Sequence, residues 1–200
     1  MPLSSEEYAR LLAEIPKAFD TGKFEAGKAA RVHALVQLMR HSGLAIRDAV
    51  TLRRSEIVWD GKKKLYRVVT KRQKTGTHVS VPLPPAVASE ILAVSPLSKE
   101  YPFWTGGGLE TSAVTNWQHD LRALFRSAFG KKTNFTPHCL RDTAACGWLT
   151  AGIPMEEVSK LLGHTSIKTT EKHYSAWAQA RQDRLDSLVV GTWTKEDAHA

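Results

Sequence analysis

The sequence predicts one α+β domain, mainly helical, with a small three-stranded antiparallel sheet set in after its third helix. Three observations predict it. Apolar residues recur at helical spacing before residue 50 and again after residue 84. One window between them changes to β-branched runs broken by two turns. Pro, Ser and Gly then punctuate the final third at helix starts and stops.

Taken in order, "SSEEYARLLAEI" opens with Ser4 three residues before Glu7, a capping box, and carries Tyr8, Leu11, Leu12 and Ile15 on one face. "AARVHALVQLMRH" places Val32, Leu35, Val36 and Met39 at i, i+3, i+4 and i+7, a second helix. "SGL" at 42–44 is a break, after which "AIRDAVTLRRSEI" resumes a short helix. The period then changes. "SEIVWDGKKKLYRVVTKRQKTGTHVSVPL" reads as three strands turned at Asp60–Gly61 and Thr75–Gly76. "PPAVASEILAV" returns to helix, and "SPLSKEYPFWTGGG" is a Pro- and Gly-rich loop. Trp117, Leu121, Leu124, Phe125 and Ala128 form the stripe of a longer helix. Three more follow, from Pro137 to near Gly152, from Pro154 to Gly163, and from near Ser166 past Tyr174. "VVGTWTKEDAHA" reads as an appended strand or loose tail, which sets the domain at 1–188 and the tail at 189–200.

Two hundred residues are enough to bury a core, and 42% hydrophobic with 24% charged residues is the balance of a globular domain. No apolar run reaches membrane-spanning length, and "MPLSSEEYARLL" lacks a signal-peptide pattern, so a cytoplasmic protein is expected. The charge is the unusual quantity: 28 Lys and Arg against 20 Asp and Glu, a net +8 and a pI near 9.6. That balance suits a polyanionic partner, nucleic acid first. Cys139 and Cys146 stand seven apart on one predicted helix, too far for a bridge and without metal-type spacing, so buried free thiols are expected.

Four stretches carry chemistry. In "TPHCLRDTAA", Thr136 suits an N-cap and Pro137 the first helical position, which puts His138 and Arg141 on one face of the first turn. Unpaired amides at a helix start favour an anion, and these side chains add donors beside them. "QKTGTHVSVPL" places Lys74 just before a hairpin turn, "LLGHTS" places His164 after a helix stop, and "TTEKHYS" places Tyr174 within a helix. Singly, each has an ordinary reading: surface residues, a solvated turn lysine, a histidine serving a helix C-terminus, a packed tyrosine. A metal set of His138, His164 and His173 leaves Lys74 and Arg141 without a purpose, so no metal or other cofactor is expected.

As a set, "HSGLAIRDAVTL", "KTGTHVSVPL" and "TPHCLRDTAACGWLTAGIPMEEVSKLLGHTSIKTTEKHYS" resemble the catalytic domain of the tyrosine recombinases, the phage-integrase family, from about residue 3 to about 185. The specific part is His-x-x-Arg, then Leu-Gly-His, then a Tyr ten residues on. The resemblance implies the DNA breaking-rejoining fold, double-stranded DNA as partner, self-association on it, and site-specific recombination through a 3′-phosphotyrosyl intermediate. By position it makes Tyr174 the nucleophile, His138 the base, Arg141 and His164 the holders of the non-bridging oxygens, and Lys74 the acid for the departing 5′-oxygen. Forming a tyrosine phenolate at neutral pH costs about 4 kcal/mol, which a base and cationic neighbours must offset.

Two departures from the family pattern stand out. The family's first catalytic Arg follows a Gly-Leu, and here Gly43-Leu44 is followed by Ala45, with Asp48 where the family has Glu. Arg47 is nearby: in a helix, positions two apart point about 200° from each other and Arg47 cannot replace the lost group, whereas from an irregular turn it reaches the phosphate. Otherwise it contacts DNA backbone or solvent. Family members also carry an N-terminal core-binding domain, which is expected to be absent here. The sequence therefore leaves two readings: a recombinase with weakened catalysis, since one lost oxyanion donor costs about 10²–10³ in rate, or a recombinase-like module that grips DNA and cuts it poorly because of Ala45.

Overall fold

The computed structural model describes residues 1–94 and 97–192. Helix α1 (Ser5–Phe19) begins at the capping box: Ser4 Oγ accepts from the Glu7 amide, and the Glu7 carboxylate accepts from the Ser4 amide. Helix α2 (Lys28–Ser42) buries Val32, Leu35, Val36 and Met39, the expected stripe, and ends on Gly43 in the left-handed region, φ 65°. Helix α3 (Ile46–Val50) follows, with Ala45 at its N-cap.

The sheet comes next, strands β1 (Ile57–Asp60), β2 (Leu65–Lys71) and β3 (His78–Leu83), antiparallel in that order. Asp60 closes the first turn by accepting from the Lys62 and Lys63 amides. The second turn is fastened at its base, where the Arg72 amide donates to Thr77 O and the Gly76 amide to Arg72 O. Alternation turns Ile57, Val68, Val79, Val81 and Leu83 inward. Helices α4 (Pro85–Ala93) and α5 (Glu110–Phe129) follow; α5 buries Trp117, Leu121, Leu124, Phe125 and Ala128, as its spacing predicts. The loop between them is anchored by Phe103, whose carbonyl accepts from the Trp117 indole N–H at 2.6 Å.

Helices α6 (His138–Thr150), α7 (Met155–Leu162) and α8 (Ile167–Val190) complete the domain. No side chain caps α6: Pro137 takes the cap position with helical dihedrals, and the Thr136 carbonyl accepts from the Cys139 amide. Both cysteines are buried and unbridged. Val189 and Val190, expected in a tail, continue α8, and residues 193–200 of that expected tail lie outside the described residues.

Two hydrophobic clusters result. The larger joins α1 to α5, the sheet, and Cys139 and Leu140 of α6. The smaller joins Ala145, Cys146 and Leu149 of α6 to Val158 and Leu162 of α7 and Tyr174 of α8. Helix α6 spans both. Among the described residues, no helix is long and apolar enough to cross a membrane.

Candidate active site

Between the ends of α2, α6 and α7, the face of α8 and the β2–β3 hairpin lies a cleft of about 470 Å³. His138, Arg141, His164, Tyr174 and Lys74 all line it, together with Ala45 and Arg72. Five residues spread over one hundred positions of chain are thus brought to one place.

Arg141 is the centre of it. It is 3% exposed, because α6 runs between the two clusters and presents this residue to their seam. Its Nη1 donates to the Gly43 carbonyl, and Nη2 donates to Leu162 O at 2.8 Å. Both acceptors are helix-terminal carbonyls without a partner inside their own helix. Gly43 is required twice here: its φ is left-handed, and a Cβ would approach Leu162 Cδ2 to 3.0 Å and the Trp148 ring to 3.1 Å. Burial, helped by the neighbouring charge of Arg72, brings the Arg141 pKa down to about 10, so it remains a cation at neutral pH.

The third partner of Arg141 fixes a tautomer. Arg141 Nη2 lies 3.0 Å from His164 Nε2, and a guanidinium only donates, so Nε2 accepts. The ring proton then sits on Nδ1, 2.8 Å from Thr170 Oγ1. Burial and the Arg141 charge lower the His164 pKa to about 4, consistent with a neutral ring. Of the five guanidinium N–H bonds, these three contacts use three, and among the described residues Nε–H and one Nη1 hydrogen have no partner.

Tyr174 is 4% exposed and its hydroxyl donates to Asp142 Oδ1 at 2.8 Å. Burial, reinforced by the Asp142 carboxylate, pushes its pKa well above that of an ordinary tyrosine, while Arg141 pulls the other way. His138 stands at the mouth, its side chain mostly exposed, with Nε2 3.6 Å from the same Asp142 Oδ1. Lys74 is exposed at the hairpin tip.

Arg47 is not brought into the cleft. It lies inside α3, half exposed, with Nε donating to Glu110 Oε1 at 2.6 Å at the start of α5. Of the two geometries open to the sequence, the helical one holds. Ala45 itself borders both the main cleft and a smaller cavity of about 240 Å³ under α6.

Two residues here escape sequence reasoning. Asp142 adjoins Arg141 and stands four after His138, a spacing that puts it on the His138 face of α6. Arg72, in the charged run "KRQK", looks like surface, yet alternation from buried Val68 through Thr70 carries it to the inner side of the hairpin.

The fold is that of the tyrosine recombinase and integrase catalytic domains. The profile described as the phage integrase family matches residues 2–181, and the chain belongs to that family. It is 26% identical over 193 residues to the tyrosine recombinase XerD of Rhizobium meliloti (strain 1021), covering 94% of this chain and 59% of that one. It is 33% identical over 150 residues to the tyrosine recombinase XerC of Agrobacterium fabrum (strain C58), covering 72% and 45%. The chain thus spans about half the length of these relatives. Among solved structures, the catalytic domain of bacteriophage HP1 integrase superposes with a TM-score of 0.61 at 19% identity, over 96% of this chain and 94% of that one. The XerH site-specific recombinase bound to palindromic difH substrate, a post-cleavage complex, gives 0.68 at 18%, over 94% and 52%. At such identities the likeness is one of fold.

Proposed function

We propose that this chain cuts and rejoins double-stranded DNA through Tyr174, as a site-specific recombinase domain. The observation that supports the reading most is the convergence of Tyr174, Arg141, His164, His138 and Lys74 on one cleft. The net charge of +8 supports DNA as the partner, as does the likeness to a recombinase whose structure holds its DNA substrate.

The step is a transesterification. The Tyr174 oxygen forms a bond to phosphorus, the bond from phosphorus to the 5′-oxygen breaks, and a 3′-phosphotyrosyl link and a 5′-hydroxyl result. The Tyr174 proton leaves on the side of Asp142 and passes to His138, a role supported by the 3.6 Å from its Nε2 to the same carboxylate oxygen. The 5′-oxygen takes its proton from Lys74. Arg141 offers its two remaining N–H groups to the non-bridging oxygens, and His164 and the Gly43 and Leu162 carbonyls hold the guanidinium in place for it. In the resting protein the tyrosine keeps its proton, because burial disfavours the phenolate and the hydroxyl donates to the Asp142 carboxylate. The cation that favours the phenolate is Arg141, whose charge pulls the Tyr174 pKa down against burial and Asp142.

A second reading, a DNA-gripping module that cuts poorly, is favoured by one observation, the methyl side chain of Ala45 at the cleft wall. Relaxation of supercoiled plasmid, with detergent trapping of protein–DNA adducts, separates the two. The recombinase reading expects relaxation and an adduct, both lost in Tyr174→Phe. Activity in Ala45→Arg alone favours the gripping module. An adduct that survives Tyr174→Phe rejects the assigned nucleophile.

A further inference from the structure

Arg72 has no part in the chemistry above, yet it lines the same cleft as Arg141, His164 and Tyr174. Its side chain is one-tenth exposed. Its stem lies across Gly163, where a Cβ would come to 2.6 Å from Arg72 Cγ; the residue ending α7 is bare where Arg72 crosses it. The head group sits with Nη1 3.1 Å from Asp48 Oδ2, an ion pair by distance. The same Nη1 makes no hydrogen bond among the described residues, so the pair lies off the donor line and the donor is unspent. Asp48 turns its other oxygen to the Gln73 amide at 2.7 Å.

The result is a buried guanidinium compensated on one side, with a free donor, beside a second buried guanidinium at Arg141. The two are close enough that the charge of Arg72 lowers the pKa of both Arg141 and His164. Like charges held side by side away from bulk water repel, and an anion between them converts that repulsion into attraction for both. Ala45, on the same wall, leaves the space open.

We propose that Arg72, reaching in from the base of the hairpin and steadied by Asp48, is the second guanidinium that grips the DNA phosphate in this cleft. It takes the part that the sequence pattern would give to an arginine at position 45, from a different element of the fold. The proposal deepens the reading of the cleft as a phosphate site and rests on it. Because Arg72 and Lys74 share one hairpin, phosphate binding and leaving-group protonation become linked: seating the Arg72 end places the Lys74 end.

The test uses the whole chain and two independent readouts: titration with inorganic phosphate followed through the arginine side-chain N–H signals in NMR, and the plasmid relaxation assay. Arg72→Met with Asp48→Asn removes both halves of the ion pair and leaves no orphaned charge, so the fold survives. Arg72→Lys keeps the charge but not the planar fork, and Arg47→Ala is the control outside the cleft. We expect phosphate to shift the Arg72 and Arg141 signals together, and the double variant to bind phosphate about ten- to a hundred-fold more weakly. Relaxation should slow about 10²–10³-fold, with Arg72→Lys between it and wild type and Ala45→Arg restoring the double variant. Phosphate binding and relaxation both left at the wild-type level, with only a lower melting temperature, would mean that the pair merely anchors the hairpin and would overturn the proposal. A wild type that relaxes no plasmid, but loses phosphate binding with Arg72, would keep the phosphate role and reject strand cleavage. A wild type that binds no phosphate would reject the role of Arg72 whatever it does to plasmid.

Discussion

Replacing Asp142 by Asn tests what holds the Tyr174 hydroxyl in its protonated form. The Tyr174 hydroxyl donates to this carboxylate at 2.8 Å, inside a pocket where the Asp142 side chain is 15% exposed. A hydrogen bond to a charged acceptor contributes about 1.5–3 kcal/mol and one to a neutral acceptor about 0.5–1.5 kcal/mol. Asn keeps an acceptor oxygen and removes the charge, so the difference is about 1–1.5 kcal/mol, close to one pH unit. Asp142→Asn should therefore lower the Tyr174 pKa by about one pH unit and raise the phenolate fraction about ten-fold at any pH below it. Difluorotyrosine at position 174 brings the titration into a range the fold survives, and its fluorine signal reports this ring alone. A midpoint unmoved by Asp142→Asn would refute the reasoning, leaving burial as the whole cause of the raised pKa.

Three further outcomes follow from named contacts. Gly163→Ala should lower stability by about 1–3 kcal/mol in thermal melting, because the position has φ +67° and a Cβ meets Arg72 Cγ at 2.6 Å and Val79 Cγ2 at 2.8 Å. His164 has a folded pKa of about 4 against an ordinary 6.5, so the folded state binds fewer protons between those values. Its contribution to stability is complete above pH 6.5 and is lost as pH falls toward 4, by about 1–2 kcal/mol once solvent screening is allowed for. Denaturant titrations at neutral and acid pH should show that slope, and His164→Gln should flatten it. Arg47→Ala should change stability by less than about 1 kcal/mol and leave phosphate binding intact, since it removes one half-exposed ion pair with Glu110; loss of phosphate binding in that variant would contradict the cleft assignment.

Periodicity made most of the fold legible. The stripes on α2 and α5 and the hairpin turns at Asp60 and Gly76 are local signals, and each stands where spacing and turn chemistry place it. Helix ends were harder: Thr136 has the chemistry of a cap, but Pro137 takes the cap position with helical dihedrals and needs no side-chain acceptor. Val189 and Val190 read as strand formers, and α8 carries both, where β propensity is a weak prior against a helix already under way. The site divided along similar lines. Arg141, His164 and Tyr174 belong to a pattern that survives as a string of letters. Arg72 and Asp48 meet only because the hairpin folds back onto α3, a contact between positions 24 apart for which no local spacing exists. Arg47 illustrates the converse, since proximity in sequence to Ala45 counted for nothing once α3 turned its side chain toward Glu110.

The division into two hydrophobic clusters has a consequence for how the molecule comes apart. The buried apolar residue of α8 in the smaller cluster is Tyr174, held with five residues of α6 and α7, while the larger cluster contains none of α8 among the described residues. Regions seated on few apolar contacts open at free energies below that of global unfolding. In native-state hydrogen exchange the amides of the helix bearing the tyrosine should therefore form a separate, faster class than those of α1 to α5 and the sheet. The hairpin wall of the cleft, with Arg72 and Lys74, and the α8 wall, with Tyr174, would then belong to parts of one chain with different lifetimes.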